Sequence, residues 1–181
     1  MAAAGDRPRL VLVGPPGSGK STVGEQVAQQ LGEPFTDVDD VVEQRAGKSV
    51  ADVFFEDGEA AFRELERQVC AELLAGQRGV VSLGGGSVLD PRTEADLVGL
   101  AVLFLDVAIA DAARRIGFGQ SRPLLSVNPR ASWTQLMSTR RPVYQRVATF
   151  TVDTAERSVA DVVADVLAGL AEHEQQEGGP R

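Results

Sequence analysis

Residues Gly14 to Ser21 read Gly-Pro-Pro-Gly-Ser-Gly-Lys-Ser: a glycine, four residues, then Gly19, Lys20 and Ser21. That spacing suits phosphate chemistry. Gly17 and Gly19 let backbone N–H groups turn inward around phosphate oxygens with no side chain in the way. Lys20 brings a point charge to the outer phosphates, and the Ser21 hydroxyl can hold Mg²⁺. With Ser18 and Thr22 the cradle reads Gly-Ser-Gly-Lys-Ser-Thr over 17–22. Lysine is otherwise scarce, with Lys20 and Lys48 set against sixteen arginines, and one of the two stands where this chemistry wants an ammonium.

A second set of residues could serve an acceptor. Asp37 and Asp39 end a short apolar run as Asp-x-Asp. Residues two apart on a strand face the same way, so both carboxylates are expected beside the phosphate loop. One could hold water around Mg²⁺ and the other could accept hydrogen bonds from a substrate hydroxyl. The neighbouring Asp40 keeps a solvated acidic turn open as the plainer explanation. Gly84, Gly85 and Gly86 follow Leu83 without interruption. Three successive glycines are costly in chain entropy, which points to close approach of the backbone to a ligand. Arg63, with Glu66 one helical turn on, and Arg140 can each pair a carboxylate through two planar hydrogen bonds, or steady a transferring phosphoryl group. Arg122 lies in a turn-rich stretch. Arg67, Arg114, Arg141 and Arg146 read as ordinary surface residues.

These residues need a frame. Leu10-Val11-Leu12-Val13 reads as a buried strand before the phosphate loop. Val23, Val27 and Leu31 recur at helical spacing after it, and Gly32 is a natural stop. Strand-like runs at Arg9–Val13, Pro34–Val38, Gly79–Leu83, Ala101–Val107 and Thr149–Val152 alternate with helical patterns. The helical patterns fall near Lys20–Leu31, Asp39–Ala46, Gly58–Ala75, Pro91–Val98, Ala110–Gly117, Ala131–Val147 and Val159–Ala171. The alternation predicts an α/β fold: a five-stranded parallel sheet sandwiched by helices, with ligands at the carboxyl ends of the strands. Single-domain organisation is expected over 1–181, with a helical insert at about 39–75, a lid at about 117–128 and a frayed tail at 172–181.

Composition narrows the function further. The chain has 181 residues, 43% hydrophobic and 24% charged, which is ordinary for a globular protein. A net charge of −8 argues against bulk affinity for nucleic acid or an anionic membrane. No apolar run reaches the length of a membrane span, and Met1 to Pro8 lacks the apolar stretch of a leader peptide. The single cysteine, Cys70, rules out an internal disulfide and reads as a small core residue. A cytoplasmic monomer is expected. The single histidine, His173, lies in a polar tail, which disfavours histidine chemistry.

With these residues assembled, the chain resembles the shikimate kinases, and most closely their actinobacterial members. The resemblance runs from about Pro8 to Gly169. It rests on an ordered set: residues 17–22, Asp37-x-Asp39, Phe62-Arg63 with Glu66, Gly84-Gly85-Gly86, Arg122-Pro123-Leu124-Leu125, and Arg140 with Tyr144. It implies a P-loop kinase of the nucleoside-monophosphate-kinase type. The reaction implied is transfer of the γ-phosphoryl of ATP, with Mg²⁺, to the 3-hydroxyl of shikimate, on the route to aromatic amino acids. Roles follow by motif position. Gly17, Ser18, Gly19, Lys20, Ser21 and Thr22 would hold the phosphates. Ser21 would ligate Mg²⁺, with Asp37 supporting it through water. Asp39 would bind the shikimate hydroxyls and is the candidate base. Arg63 and Arg140 would clamp the carboxylate, with Glu66 holding Arg63, and Gly84, Gly85 and Gly86 would line the acceptor. Phe54 and Phe62 would wall the substrate ring, Arg122 would meet the phosphates, and Arg115 and Arg157 would flank the adenine. Two rivals remain: another small-molecule kinase on this scaffold, for gluconate or a nucleotide, and a nucleotide-binding regulatory module without an acceptor.

Overall fold

A computed structural model describes residues 7–116 and 129–178 of the chain. Strands β1 (Pro8–Val13), β2 (Phe35–Asp37), β3 (Gly79–Ser82), β4 (Val102–Asp106) and β5 (Phe150–Asp153) form one sheet in the order β2-β3-β1-β4-β5. Every neighbouring pair is parallel. Parallel strands need helical crossovers, which cover both faces. On one face α1 (Lys20–Leu31) and α8 (Val159–Glu177) bury Val23, Val27, Val163 and Val166 against Leu10, Leu12, Leu103 and Leu105. On the other, α2 (Val38–Ala46), α4 (Glu59–Gly76) and α7 (Pro129–Val147) bury Val42, Val69 and Tyr144 against Val11, Val13, Val81 and Phe104. The alternation of Leu10, Val11, Leu12 and Val13 between the two faces is the strand period of two. The expected architecture therefore stands.

Between α2 and α4 the chain makes a short turn, α3 (Val50–Asp52), continued by a π-helical turn at Val53–Asp57. After β3 come a 3₁₀ turn at Ser87–Leu89 and α5 (Pro91–Asp96). After β4 comes α6 (Ile109–Ile116).

Among the boundaries that differ from the sequence-based expectation, two have a clear local reason. The second strand stops at Asp37 rather than Val38, because Asp37 caps α2, its Oδ1 accepting the Asp39 N–H at 3.0 Å. Asp39 therefore lies in the first turn of a helix and not on a strand. As expected, α7 passes through Pro142 to Val147. Proline forfeits only one intrahelical bond, and the packing of Tyr144 against the sheet outweighs it. Finally, α8 continues through Glu177, past Glu172 where a frayed tail is expected. Glu174 anchors that last stretch to β1 by accepting from Arg9 Nε at 2.8 Å.

Gly79 shows how tightly β3 is seated. Its φ is +91°, and a Cβ there would fall 2.2 Å from the Pro34 carbonyl oxygen. Left-handed strain and a backbone clash would add. Gly79→Ala is expected to lower stability by about 2–4 kcal/mol in chemical denaturation; an unchanged midpoint would show that β2 and β3 can part at no cost.

Candidate active site

The phosphate loop joins β1 to α1. Gly17 and Gly19 both adopt left-handed backbone, at φ 78° and 90°. Gly14 is required by space, since a Cβ there would lie 2.5 Å from the Leu105 carbonyl oxygen. Gly19 caps α1 without a side-chain hydrogen bond, and no acid lies in the first turn. The positive end of the helix is thus left for an anion. Lys20 Nζ spans the loop, donating to the carbonyls of Gly14 at 2.9 Å and Pro15 at 3.2 Å.

Ser21 Oγ donates to Asp37 Oδ2 at 2.8 Å. The other Asp37 oxygen caps α2, so this carboxylate ties the nucleotide side to the start of the insert. Among the described residues no group of three acidic, histidine or cysteine side chains could hold a metal. Two oxygen ligands with room for phosphate oxygens and water suit Mg²⁺, which keeps much of its hydration and shares substrate phosphates.

The glycine run after β3 is the centre of the arrangement. None of its three residues needs a positive φ. What distinguishes them is close packing, mostly by charged groups. A Cβ on Gly84 would meet Glu66 Oε1 at 2.4 Å and Asp39 Oδ1 at 3.1 Å. On Gly85 it would meet Pro16 Cδ at 3.2 Å and Arg140 Nη1 at 3.4 Å. On Gly86 it would meet Arg63 Nη1 at 2.7 Å. Asp39, Arg63, Glu66 and Arg140 thus converge on one stretch of backbone, which also touches the phosphate loop.

Each arginine has its own anchor. Arg63 Nη1 donates to Glu66 Oε2 at 2.7 Å, one turn along α4. Glu66 is only 3% exposed, and its other oxygen accepts from Ser87 Oγ at 2.7 Å. Arg140 is 8% exposed and lies on the same face of α7 as Tyr144. Tyr144 stacks on Phe104 of β4 with ring centroids 5.1 Å apart, and its hydroxyl donates to the Gly85 carbonyl. Burial pushes the Tyr144 phenol up to about 12, although nearby Arg140 pulls the other way, so the hydroxyl stays protonated and remains a donor. A cavity of about 290 Å³ opens beside these groups, lined by Arg63, Glu66, Gly86, Ser87 and Arg140, and reaching Arg67. Phe54 and Phe62 meet at 5.9 Å between centroids, and the Arg63 guanidinium lies 5.0 Å from the Phe62 ring.

Other expected residues have different placements. Arg141 pairs with Asp106 and Arg146 with Glu94, as surface residues do. Arg67 corrects the surface reading: its side chain is 13% exposed, borders the cavity and pairs with Asp96 at 2.7 Å. Arg157 sits in the turn after β5, donating to the carbonyls of Asp153 and Asp161 at 3.3 Å and pairing with Asp165 at 2.8 Å. None of these contacts reaches the glycine run. Arg115 falls on α6, with its side chain outside the described residues, and Arg122 and the expected lid at 117–128 also lie outside them. Ser87 and the hydroxyl of Tyr144 escape sequence reasoning as supports of the site. The position of Ser87 directly after the glycines was the available signal.

Comparisons with known proteins agree on one family. A family profile described as shikimate kinase matches residues 16–171. The chain is 51% identical to a shikimate kinase of Thermobifida fusca over 164 residues, covering 89% of this chain and 95% of the relative. It is also 51% identical to one of Salinispora arenicola, covering 91% and 98%. Among solved structures, a shikimate kinase from Acinetobacter baumannii in complex with shikimate superposes with a TM-score of 0.87 at 31% identity, covering 92% of this chain and 94% of that one.

Cys70 lies fully buried close to Glu66 and Ser87, and burial pushes its thiol up to about 12. It should remain protonated far above neutral pH. In the folded protein at pH 8 a thiol-directed reagent is expected to leave Cys70 untouched, and to label it fully once urea unfolds the chain. Rapid labelling of the folded protein would mean that the floor of the site opens.

Proposed function

This chain belongs to the shikimate kinase family, and on that premise we propose that it transfers the γ-phosphoryl of ATP to the 3-hydroxyl of shikimate, giving shikimate 3-phosphate and ADP, for aromatic amino-acid biosynthesis. The observation that carries the proposal is the double contact of Gly85, whose missing side chain leaves room for Pro16 of the phosphate loop and for Arg140 at once. That nearness of the phosphate loop to Arg140 supports direct transfer between a donor and an acceptor bound on either side of Gly85.

Roles for individual residues follow from what each offers. Gly17, Ser18, Gly19 and Thr22 frame the phosphates, and Lys20 neutralises the outer ones. Ser21 and Asp37 would hold Mg²⁺, which when bound offsets charge between the outer phosphates. Arg63 and Arg140 pair the shikimate carboxylate, with Glu66 and Ser87 keeping Arg63 in place. Asp39 accepts hydrogen bonds from the ring hydroxyls and receives the proton of the attacking one. Phe54 and Phe62 wall the ring, and Gly84, Gly85 and Gly86 bring backbone to it. Arg122 meets the phosphates, while Arg115 and Arg157 flank the adenine. Phosphoryl transfer needs mainly positioning and charge neutralisation, so arginines, a lysine and one carboxylate are a sufficient set. The same reading has the enzyme acting as a cytoplasmic monomer without nucleic-acid or membrane partners; among the described residues no helix is long and apolar enough to cross a membrane.

ADP release with Mg·ATP, measured against shikimate, gluconate and a panel of nucleoside monophosphates, tests the assignment. Turnover with shikimate alone is expected. Turnover with gluconate or a nucleotide would reassign the acceptor, and ATP binding with no turnover would make the chain a nucleotide-binding module. Within the assignment, Arg140→Ala should raise the KM for shikimate far more than that for ATP. Loss of a buried clamp costs roughly 2–5 kcal/mol. Equal effects on both substrates would move Arg140 to the phosphate side.

A further inference from the structure

Helix α7 delivers Arg140 to the glycine run, and three features loosen its internal bonding around that residue. Pro142 has no amide proton to give the Ser138 carbonyl, so one rung of the helical ladder is missing there. Just before the arginines, Ser138 Oγ donates to the Gln135 carbonyl at 2.7 Å, and Thr139 Oγ1 to the Leu136 carbonyl at 2.9 Å. Hydroxyls that bond back onto the preceding turn weaken a helix and favour bending. Proline acts in the same direction. Residues 138–142 are therefore the stretch where α7 can pivot.

Core packing holds the helix on either side of that stretch. Trp133 and Met137 are buried before it, and Tyr144 is buried after it, stacked on Phe104 and bonded to the Gly85 carbonyl. Arg140 and Tyr144 lie on opposite sides of the proline, so a pivot between them would draw the guanidinium from the glycine run and leave the tyrosine in place. Arg141 is placed to prevent this. Its Nη1 pairs with Asp106 Oδ2 and ties α7 to the end of β4. Asp106 is a firm anchor. Its Oδ1 accepts the Val107 N–H at 2.8 Å, and its carbonyl accepts the N–H and the hydroxyl of buried Thr154, each at 3.0 Å. Backbone and one carboxylate oxygen are thus fixed, and the second oxygen faces Arg141.

We propose that Arg141 and Asp106 are positioning residues for the acceptor: their ion pair braces α7 at its weakened stretch and so holds the neighbouring Arg140 where the substrate carboxylate meets it. The inference rests on the reading that Arg140 clamps that carboxylate. An exposed ion pair adds little to global stability. Its effect here is local, because it fixes the one part of α7 whose own hydrogen bonds are incomplete. A clamp gains affinity when its donors are held in place before the ligand arrives. Arg140 and Arg141 then divide the work, one facing the substrate and the other holding the backbone that both share.

The test is steady-state kinetics of the full chain with both substrates. Arg141→Gln is expected to raise the KM for shikimate about fivefold, the scale of one partly exposed ion pair. The KM for ATP should stay within about twofold. Asp106→Asn keeps an oxygen for the Val107 amide while removing the charge, and should raise the KM for shikimate to the same extent. The double variant Arg141→Gln/Asp106→Asn should be no worse than either single one, since both remove one interaction. Pro142→Ala restores the missing rung and should change neither KM by itself. In Arg141→Gln/Pro142→Ala the stiffened helix no longer needs its brace, and most of the lost shikimate affinity should return. An unchanged KM for shikimate in Arg141→Gln, parallel losses for both substrates, or no recovery with Pro142→Ala would overturn the proposal. So would an effect of Arg141→Gln that Asp106→Asn does not share, because Arg141 would then touch the substrate itself. Arg140→Ala separates the two levels. If it leaves the KM for shikimate unchanged, the clamp reading beneath the proposal fails. If it raises that KM while Arg141→Gln does not, the brace alone fails.

Discussion

The site depends on a stretch of backbone from which side chains are excluded. A Cβ on Gly84 would fall 2.4 Å from Glu66, one on Gly86 would fall 2.7 Å from Arg63, and one on Gly85 would press against Pro16 and Arg140. Arginine and carboxylate groups from α2, α4 and α7 can gather on this one stretch because nothing projects between them from the loop after β3. Glycine usually serves by reaching conformations that other residues avoid. Here its value is absence of volume, and the chain gives up conformational entropy three times over for it.

That crowding also explains how a buried arginine and a buried glutamate coexist beside an apolar core. Glu66 has a guanidinium on one oxygen and a hydroxyl on the other, so its charge is met on both sides. Arg140 is steadied through Tyr144, which is clamped between the Phe104 ring and the Gly85 carbonyl. These supports carry no chemistry of their own. They fix side chains that would otherwise sample many rotamers, and an anion clamp is useful only if its donors wait in place.

Much of this was legible in the sequence, and the physics says which parts. The phosphate loop and the sheet are written in local patterns, glycine spacing and strand periodicity, and both emerge as expected. Arg63 with Glu66 obeys helical spacing and was equally readable. Asp39 reached the right neighbourhood by a wrong argument, since a capping bond from Asp37, and not strand alternation, sets its direction. Arg67 looked like one more surface arginine because burial by α5 is a tertiary fact with no local signature. Arg140 was preferred to Arg141 on its spacing to Tyr144, and Arg141 pairs with Asp106 instead. The Tyr144 hydroxyl and Ser87 were out of reach for the same reason: each acts on a partner far along the chain.

Those distances have a thermodynamic consequence. The Ser87–Glu66 bond closes over 21 residues and the Tyr144–Gly85 bond over 59. Loop-closure entropy must be met before such contacts return anything, so the acceptor clamp forms only as the strands of the sheet come together. The acceptor therefore binds only the finished structure and draws the folding equilibrium toward it by mass action. In a cell, the supply of substrate would then act as a folding chaperone of the simplest kind.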